Sequence, residues 1–242
     1  LIIHEGLEVT PRTQEGVTTY VYSRDKGDFH AENIRIGGGT ILFDYVSPWQ
    51  RINDVELGVP VSINIENGIT SMAMAEICGA TAEELKRGMK SFAGADRRFD
   101  FHIKEENLVL LSDYAHHPAE IRQSALSIRE LYAGRKVTVI FQPHLYSRTH
   151  DFYREFAESL SLFDEVILTD IYPAREEPIP GVTSALIYDN LKESVEKRMI
   201  TKEEVLATVE AMKDNLEVLV SLGAGDIENY ASQITDILTS AL

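Results

Sequence analysis

The chain has 242 residues, 44% hydrophobic and 26% charged, which suits one large or two modest globular domains. A net charge of −16 disfavours functions that rest on nonspecific attraction to nucleic acid or to an anionic membrane. The single cysteine, Cys78, excludes an intrachain disulfide and fits a reducing cytoplasm, and no apolar run is long enough to span a bilayer as a helix.

The chain begins Leu1-Ile2-Ile3 without a methionine or a secretory signal, so a processed form or a piece of a longer protein is expected. Residues 1–60 read as β-rich. Segments 17–22, 34–36 and 41–46 carry β-branched and aromatic residues, and Gly37-Gly38-Gly39 is a turn signal. The expectation is a short antiparallel meander. Ile65, Ile69, Met72, Ala73 and Ile77 then recur at helical spacing, with Gly79 suited to the helix end. Thr81-Ala82-Glu83-Glu84 is a capping-box pattern that opens a second helix through about Ser91. The polar stretch from Gly94 to Arg98 is the expected domain boundary, dividing 1–95 from 96–242.

Beyond it, apolar runs at 108–111, 137–141, 166–168 and 218–220 alternate with helical patterns at 119–131, 149–162, 183–191, 202–212 and 227–238. That rhythm predicts a mostly parallel sheet with helices on both faces, a Rossmann-like α/β domain.

Four polar loops follow the four apolar runs, and the carboxyl ends of parallel strands are where ligands bind. The loops are Asp113 to His117 before Pro118, Gln142 to Arg148, Tyr172 to Gly181, and Gly223-Ala224-Gly225-Asp226. Arg148 offers a bidentate fork for a carboxylate or phosphate. His116, His117 and His144 can donate hydrogen bonds or move protons. Asp113 can accept from a ribose hydroxyl or orient a metal-bound water.

Other features point to structure. His116-His117 lacks the companions of a zinc site, so no metal site is expected. His4, His30, His102 and His150 read as loop histidines hydrogen-bonded to backbone. Gly223-Ala224-Gly225 lacks the third glycine of a dinucleotide fingerprint, which argues against a nicotinamide dehydrogenase. Arg97-Arg98 taken alone reads as solvated surface. No Gly-x-x-x-x-Gly-Lys-Ser/Thr loop occurs.

Five motifs nevertheless occur in a telling order: Arg97-Arg98-Phe99-Asp100-Phe101, Asp113 to Pro118, Phe141-Gln142-Pro143-His144 through Arg148-Thr149, Tyr172-Pro173-Ala174 with Glu177 to Gly181, and Gly223 to Ile227. Together they resemble the Mur ligases over about residues 15–242. That resemblance implies the end of a central ATPase domain over 1–95, with its phosphate loop and metal ligands upstream. It implies a Rossmann-like, amino-acid-binding C-terminal domain over 96–242.

The implied chemistry of the whole enzyme joins L-alanine to the carboxylate of UDP-N-acetylmuramate in peptidoglycan precursor synthesis. ATP and Mg²⁺ activate the carboxylate as an acyl phosphate, and the amine then attacks it. The fragment alone is expected to be inactive. The resemblance also implies residue roles. Asn64 and Asn67 match an Asn-x-x-Asn near adenine and phosphates, Arg98 an arginine that reaches the nucleotide phosphates, and Asp113 an aspartate near the ribose. Tyr114 and His116 match residues of the amino-acid pocket, with His116 the catalytic candidate. Arg148 matches the arginine on the amino-acid carboxylate, which His144 or His116 assists. Two departures stand out: Ile63 where the family often has His, and Leu145 where it often has Arg. The alternatives are a recycling ligase that attaches a tripeptide to the same sugar, and a non-catalytic α/β binding module.

Overall fold

The computed structural model describes residues 1–8 and 11–240. The chain divides into two compact units, Leu1–Gly94 and Ala95–Leu242.

In the first unit a parallel pair, β1 (Ile2–His4) and β2 (Tyr20–Tyr22), accompanies an antiparallel meander of β3 (His30–Gly37), β4 (Thr40–Val46) and β5 (Arg51–Glu56). Gly38 and Gly39 turn β3 into β4 at φ +56° and +74°, the left-handed backbone that glycine tolerates. The expected strand over 17–22 shortens to its last three residues, because Val17 lies exposed and the pairing starts where Tyr20 N–H meets Leu1 O at 2.8 Å. Bulges beside Asn33 and Asp54 converge on buried Asp44, which accepts from Asn33 Nδ2 at 2.8 Å, Arg51 Nη2 at 2.9 Å and Asp54 N–H at 3.0 Å.

Helix α1 (Ile63–Ile77) buries Ile65, Ile69, Met72 and Ala73, and Gly79 follows it at φ +97°. Helix α2 (Ala82–Ser91) is opened by the reciprocal Thr81–Glu84 capping box.

The second unit is a six-stranded sheet in the order β10-β9-β8-β11-β7-β6. Its parallel members are β7 (Val109–Asp113), β8 (Val137–Phe141), β9 (Glu165–Leu168), β10 (Glu196–Met199) and β11 (Val218–Leu222), while β6 (Asp100–Lys104) is antiparallel. Neither edge strand has an apolar signature. β10 reads Glu-Lys-Arg-Met, and charge on an edge discourages pairing with other chains. β7, β8, β9 and β11 are buried on both faces, as a sheet covered by helices requires.

Two helices, α6 (Val205–Met212) and α7 (Ala231–Thr239), pack on one face with Leu110, Ile140, Ile167 and Leu219. On the other face α3 (Pro118–Leu131) packs against α4 (Tyr146–Leu160), whose Phe156 meets Phe141 of β8 at 5.5 Å between ring centres. Burying a phenylalanine this fully contributes about 1.5–3 kcal/mol. The expected helix over 183–191 contracts to the single turn α5 (Ala185–Tyr188). Those over 202–212 and 227–238 each open with a 3₁₀ turn. Among the described residues no helix is long and apolar enough to cross a membrane.

Candidate active site

Because β7, β8, β9 and β11 run parallel, the four loops that follow them emerge at one edge of the sheet. Backbone bonds zip the loops together. Leu145 N–H donates to Tyr172 O at 2.9 Å, Tyr172 N–H to Pro143 O at 2.8 Å, and Gly223 N–H to Asp113 O at 3.2 Å.

The loop after β7 is fixed from both ends. Asp113 points inward: its carboxylate accepts from Ser124 Oγ and faces the N–H groups of Phe99, Tyr114 and Ala115, which favour its ionised form. Burial pushes its pKa above the usual carboxylate value despite those bonds. The geometry gives Asp113 the work of shaping the turn. At the other end Glu120 accepts from His116 N–H at 2.9 Å and His117 N–H at 3.1 Å, His117 caps α3, and Pro118 takes the first helical position.

Between these anchors the rings form a ladder. Tyr114 meets His116 at 5.1 Å edge-on, His116 meets His144 at 5.9 Å, and His144 stacks on Tyr172 at 5.6 Å. His116 Nδ1 lies 2.8 Å from Tyr114 O and donates to it, so in the neutral ring the lone pair falls on Nε2. Arg148 Nη1 donates to His144 Nδ1 at 3.4 Å. Burial and the nearby charges of Arg148 and His116 hold His144 below the ordinary histidine pKa, which keeps that nitrogen an acceptor.

The fourth loop is organised by Gln142, only 2% exposed. Its Nε2 donates to Asp226 at 2.8 Å and its Oε1 accepts from Ile227 N–H at 3.0 Å. Asp226 also takes Lys202 Nζ at 2.6 Å. Burial alone would raise the Asp226 pKa, but the Lys202 and Gln142 bonds outweigh it and hold the pKa low.

Arg97 joins the first and fourth loops. Its guanidinium lies 4.7 Å over the Tyr114 ring, and Nη2 donates to Gly225 O at 3.3 Å. Its Nε is buried without a hydrogen-bond partner, 3.8 Å from Glu228. Arg97 also sits at φ +65°, a conformation that costs a non-glycine residue about 1 kcal/mol or more.

The structure therefore brings Tyr114, His116, His144 and Arg148 together at one strand edge. Arg98 is exposed, and its backbone N–H bonds Ala95 O at 3.1 Å. Asn64 and Asn67 lie in the first unit, where they line a cavity of about 470 Å³ walled by Leu57, Gly58, Met89 and Phe92. Asn67 Nδ2 donates to Asn64 Oδ1 at 3.2 Å, and Asn64 Nδ2 to Val59 O at 3.2 Å. Sequence reasoning missed Arg97, Gln142, Tyr172 and Glu176 as site residues. Two adjacent arginines look alike in a sequence, and only the fold turns one of them inward. Among the described residues no three histidine, cysteine or acidic side chains are grouped to hold a metal ion.

Residues 97–227 match the family pattern of the Mur ligase, glutamate ligase domain. The chain belongs to the Mur ligase family. A UDP-N-acetylmuramate–L-alanine ligase of Phocaeicola vulgatus is 62% identical over 238 residues, 98% of this chain and 52% of that protein. A ligase of the same name from Porphyromonas gingivalis is 45% identical over 240 residues, again 98% of this chain and 52% of that protein. The chain thus spans about half the length of the curated relatives it matches.

Among solved Mur ligases, the UDP-N-acetylmuramate–alanine ligase of Thermotoga maritima superposes with a TM-score of 0.68 at 24% identity, over 93% of this chain and 48% of that one. The folylpolyglutamate synthase of the same organism gives 0.66 at 18% identity, over 91% and 50%. At these identities the likeness is one of fold.

Proposed function

We propose that this Mur ligase chain serves an ATP-dependent ligase that joins L-alanine to the carboxylate of UDP-N-acetylmuramate, a cytoplasmic step of peptidoglycan precursor synthesis. The observation that carries the reading is the 62% identity, across 98% of the chain, to a relative named for that reaction. The ring ladder and Arg148 agree with it chemically.

Residues 96–242 act as the amino-acid-binding domain. Arg148 grips the α-carboxylate with its fork, and His144, kept neutral, holds the guanidinium in place. Tyr114 walls the pocket. His116 presents its Nε2 lone pair, which takes a proton from the incoming amine as that nitrogen becomes nucleophilic.

Residues 1–95 act as the end of the central ATP-binding domain. The apolar walls and two amides of the cavity fit a purine base, so Asn64 and Asn67 would hold adenine there, while Arg98, exposed and without a side-chain partner among the described residues, would meet the phosphates. ATP supplies the phosphoryl group that makes the sugar carboxylate reactive. The described residues do not fit Mg²⁺, and no step is assigned to it. Asp113, with its carboxylate committed to Ser124 and backbone N–H groups, holds the site's turn and reaches the ribose only by giving up those bonds.

The test is phosphate release by a full-length protein carrying this chain, supplied with ATP, Mg²⁺ and UDP-N-acetylmuramate. Stimulation by L-alanine is the expected result. Stimulation only by a tripeptide would replace this reading with the recycling ligase, and silence with both would leave a binding module.

A further inference from the structure

Helix α4 starts without a cap of its own. Its N-cap residue, Leu145, offers no acceptor and sits at φ +73°. The first N–H groups of a helix need acceptors from elsewhere. A residue of the loop after β9 provides them: Glu176 Oε2 accepts from Ser147 N–H at 2.9 Å and Oε1 from Ser147 Oγ at 2.5 Å. The N–H of Tyr146 donates to the same carboxylate. Glu176 is aimed by a tight turn, in which its own N–H bonds Pro173 O at 2.9 Å and Ala174 takes φ +52°. These bonds, with Arg148 nearby, hold its carboxyl below the usual range, so it is an anion at neutral pH.

The turn that Glu176 fastens carries Arg148, and Arg148 donates to His144. The charged groups facing His144 are Arg148, His116 and Glu176, of which only Glu176 favours its protonation. Glu176 bonds Ser147 through both oxygens, and among the described residues the Arg148 guanidinium makes its hydrogen bond to His144 rather than to Glu176.

We propose that Glu176 is a positioning residue: from the loop after β9 it caps α4 and sets the direction of the Arg148–His144 pair that receives the amino-acid carboxylate. The last clause rests on the function proposed above. The capping itself does not.

Glu176→Gln keeps the shape and removes the charge, so it is read in two ways. By NMR of the chain, the Ser147 amide proton should move upfield and His144 should titrate at a lower pH than in wild type, because the one anion facing it is gone. In the full-length ligase, the KM for L-alanine should rise roughly tenfold with kcat changed by less than about twofold, the loss of one charge-assisted contact acting through Arg148. Glu176→Asp, one methylene shorter, should recover part of the KM. An unchanged Ser147 amide and His144 titration overturns the cap, and an unchanged KM with an active wild type overturns its role in binding. If the wild type responds to no amino acid, the proposed function falls while the NMR arm still decides the cap.

Discussion

Gly225 stands where the fourth loop crosses Gln142, and replacing it with alanine measures how tightly that crossing is built. A Cβ on Gly225 would lie 2.2 Å from Gln142 Oε1 and 2.8 Å from Cβ and Cγ of Tyr172. Its φ of −90° lies outside the left-handed region, so the close contacts of the new Cβ dominate the penalty. Gln142 cannot swing aside, because its amide is buried and binds both Ile227 N–H and Asp226. Displacing it leaves a buried N–H unpaired, at about 1–3 kcal/mol, and overfilling the crossing adds about 1–3 kcal/mol. Gly225→Ala should therefore destabilise the second unit by about 2–6 kcal/mol.

Urea unfolding followed by circular dichroism reads this directly. The only tryptophan, Trp49, lies in the first unit, so its fluorescence follows that unit and circular dichroism at the second unit's transition is the deciding signal. Gly134→Ala is the control: φ is +83° and no atom lies within 4 Å of the new Cβ, so it carries only left-handed strain of about 1–2 kcal/mol. A Gly225→Ala protein no less stable than the Gly134→Ala protein would refute the assignment of Gln142 as the organiser of this loop.

Arg148→Ala in the full-length ligase should raise the KM for L-alanine by a factor corresponding to about 1.5–3 kcal/mol, and an unchanged KM would remove Arg148 from the pocket. Arg97→Gly should destabilise the second unit by less than about 2 kcal/mol, because relief of strain partly offsets the lost cation–π contact and the lost bond to Gly225 O, yet should raise the same KM through Tyr114. Unfolding midpoints and initial rates on that variant separate the two effects. In the first unit, burial opposes ionisation of Asp44, but bonds from Asn33, Arg51 and Asp54 N–H prevail and bring its pKa from 3.8 to about 2. A depressed carboxylate stabilises above its unfolded pKa and loses that stability as pH falls through the folded value, here about 2 kcal/mol between about pH 5 and pH 2. Trp49-detected unfolding should show this loss in wild type and not in Asp44→Asn, and equal pH slopes in the two would contradict it.

The core strands were legible because burial on both faces demands unbroken apolar runs, as in Val137-Thr138-Val139-Ile140-Phe141. β6 and β10 were not, since they are strands only because β7 and β9 offer them hydrogen-bonding edges. The helix over 183–191 shrank because its apolar residues serve a loop that returns to the sheet edge, where Ser184 Oγ bonds Thr169 O at 2.5 Å. At the site, strand-end position alone gathered Tyr114, His116, His144 and Arg148. Which polar side chains face inward was not readable. Asp113 and Ser124 are eleven residues apart and meet only once α3 lies on the sheet, and Arg97 finds Gly225 across 128 residues of chain.

The strand order has a consequence for how the protein is made. β11, the last strand in sequence, lies between β7 and β8 and bonds to both. During synthesis those two earlier strands have no bond to each other and must wait, each with an open apolar edge, until residues 218–222 emerge. Such edges invite pairing with other chains, and closing so long a loop is slow. A chain cut short before Val218 would lose far more than one strand: the fourth loop would be gone, the loop after β7 would share no edge with those after β8 and β9, and aggregation would compete with folding.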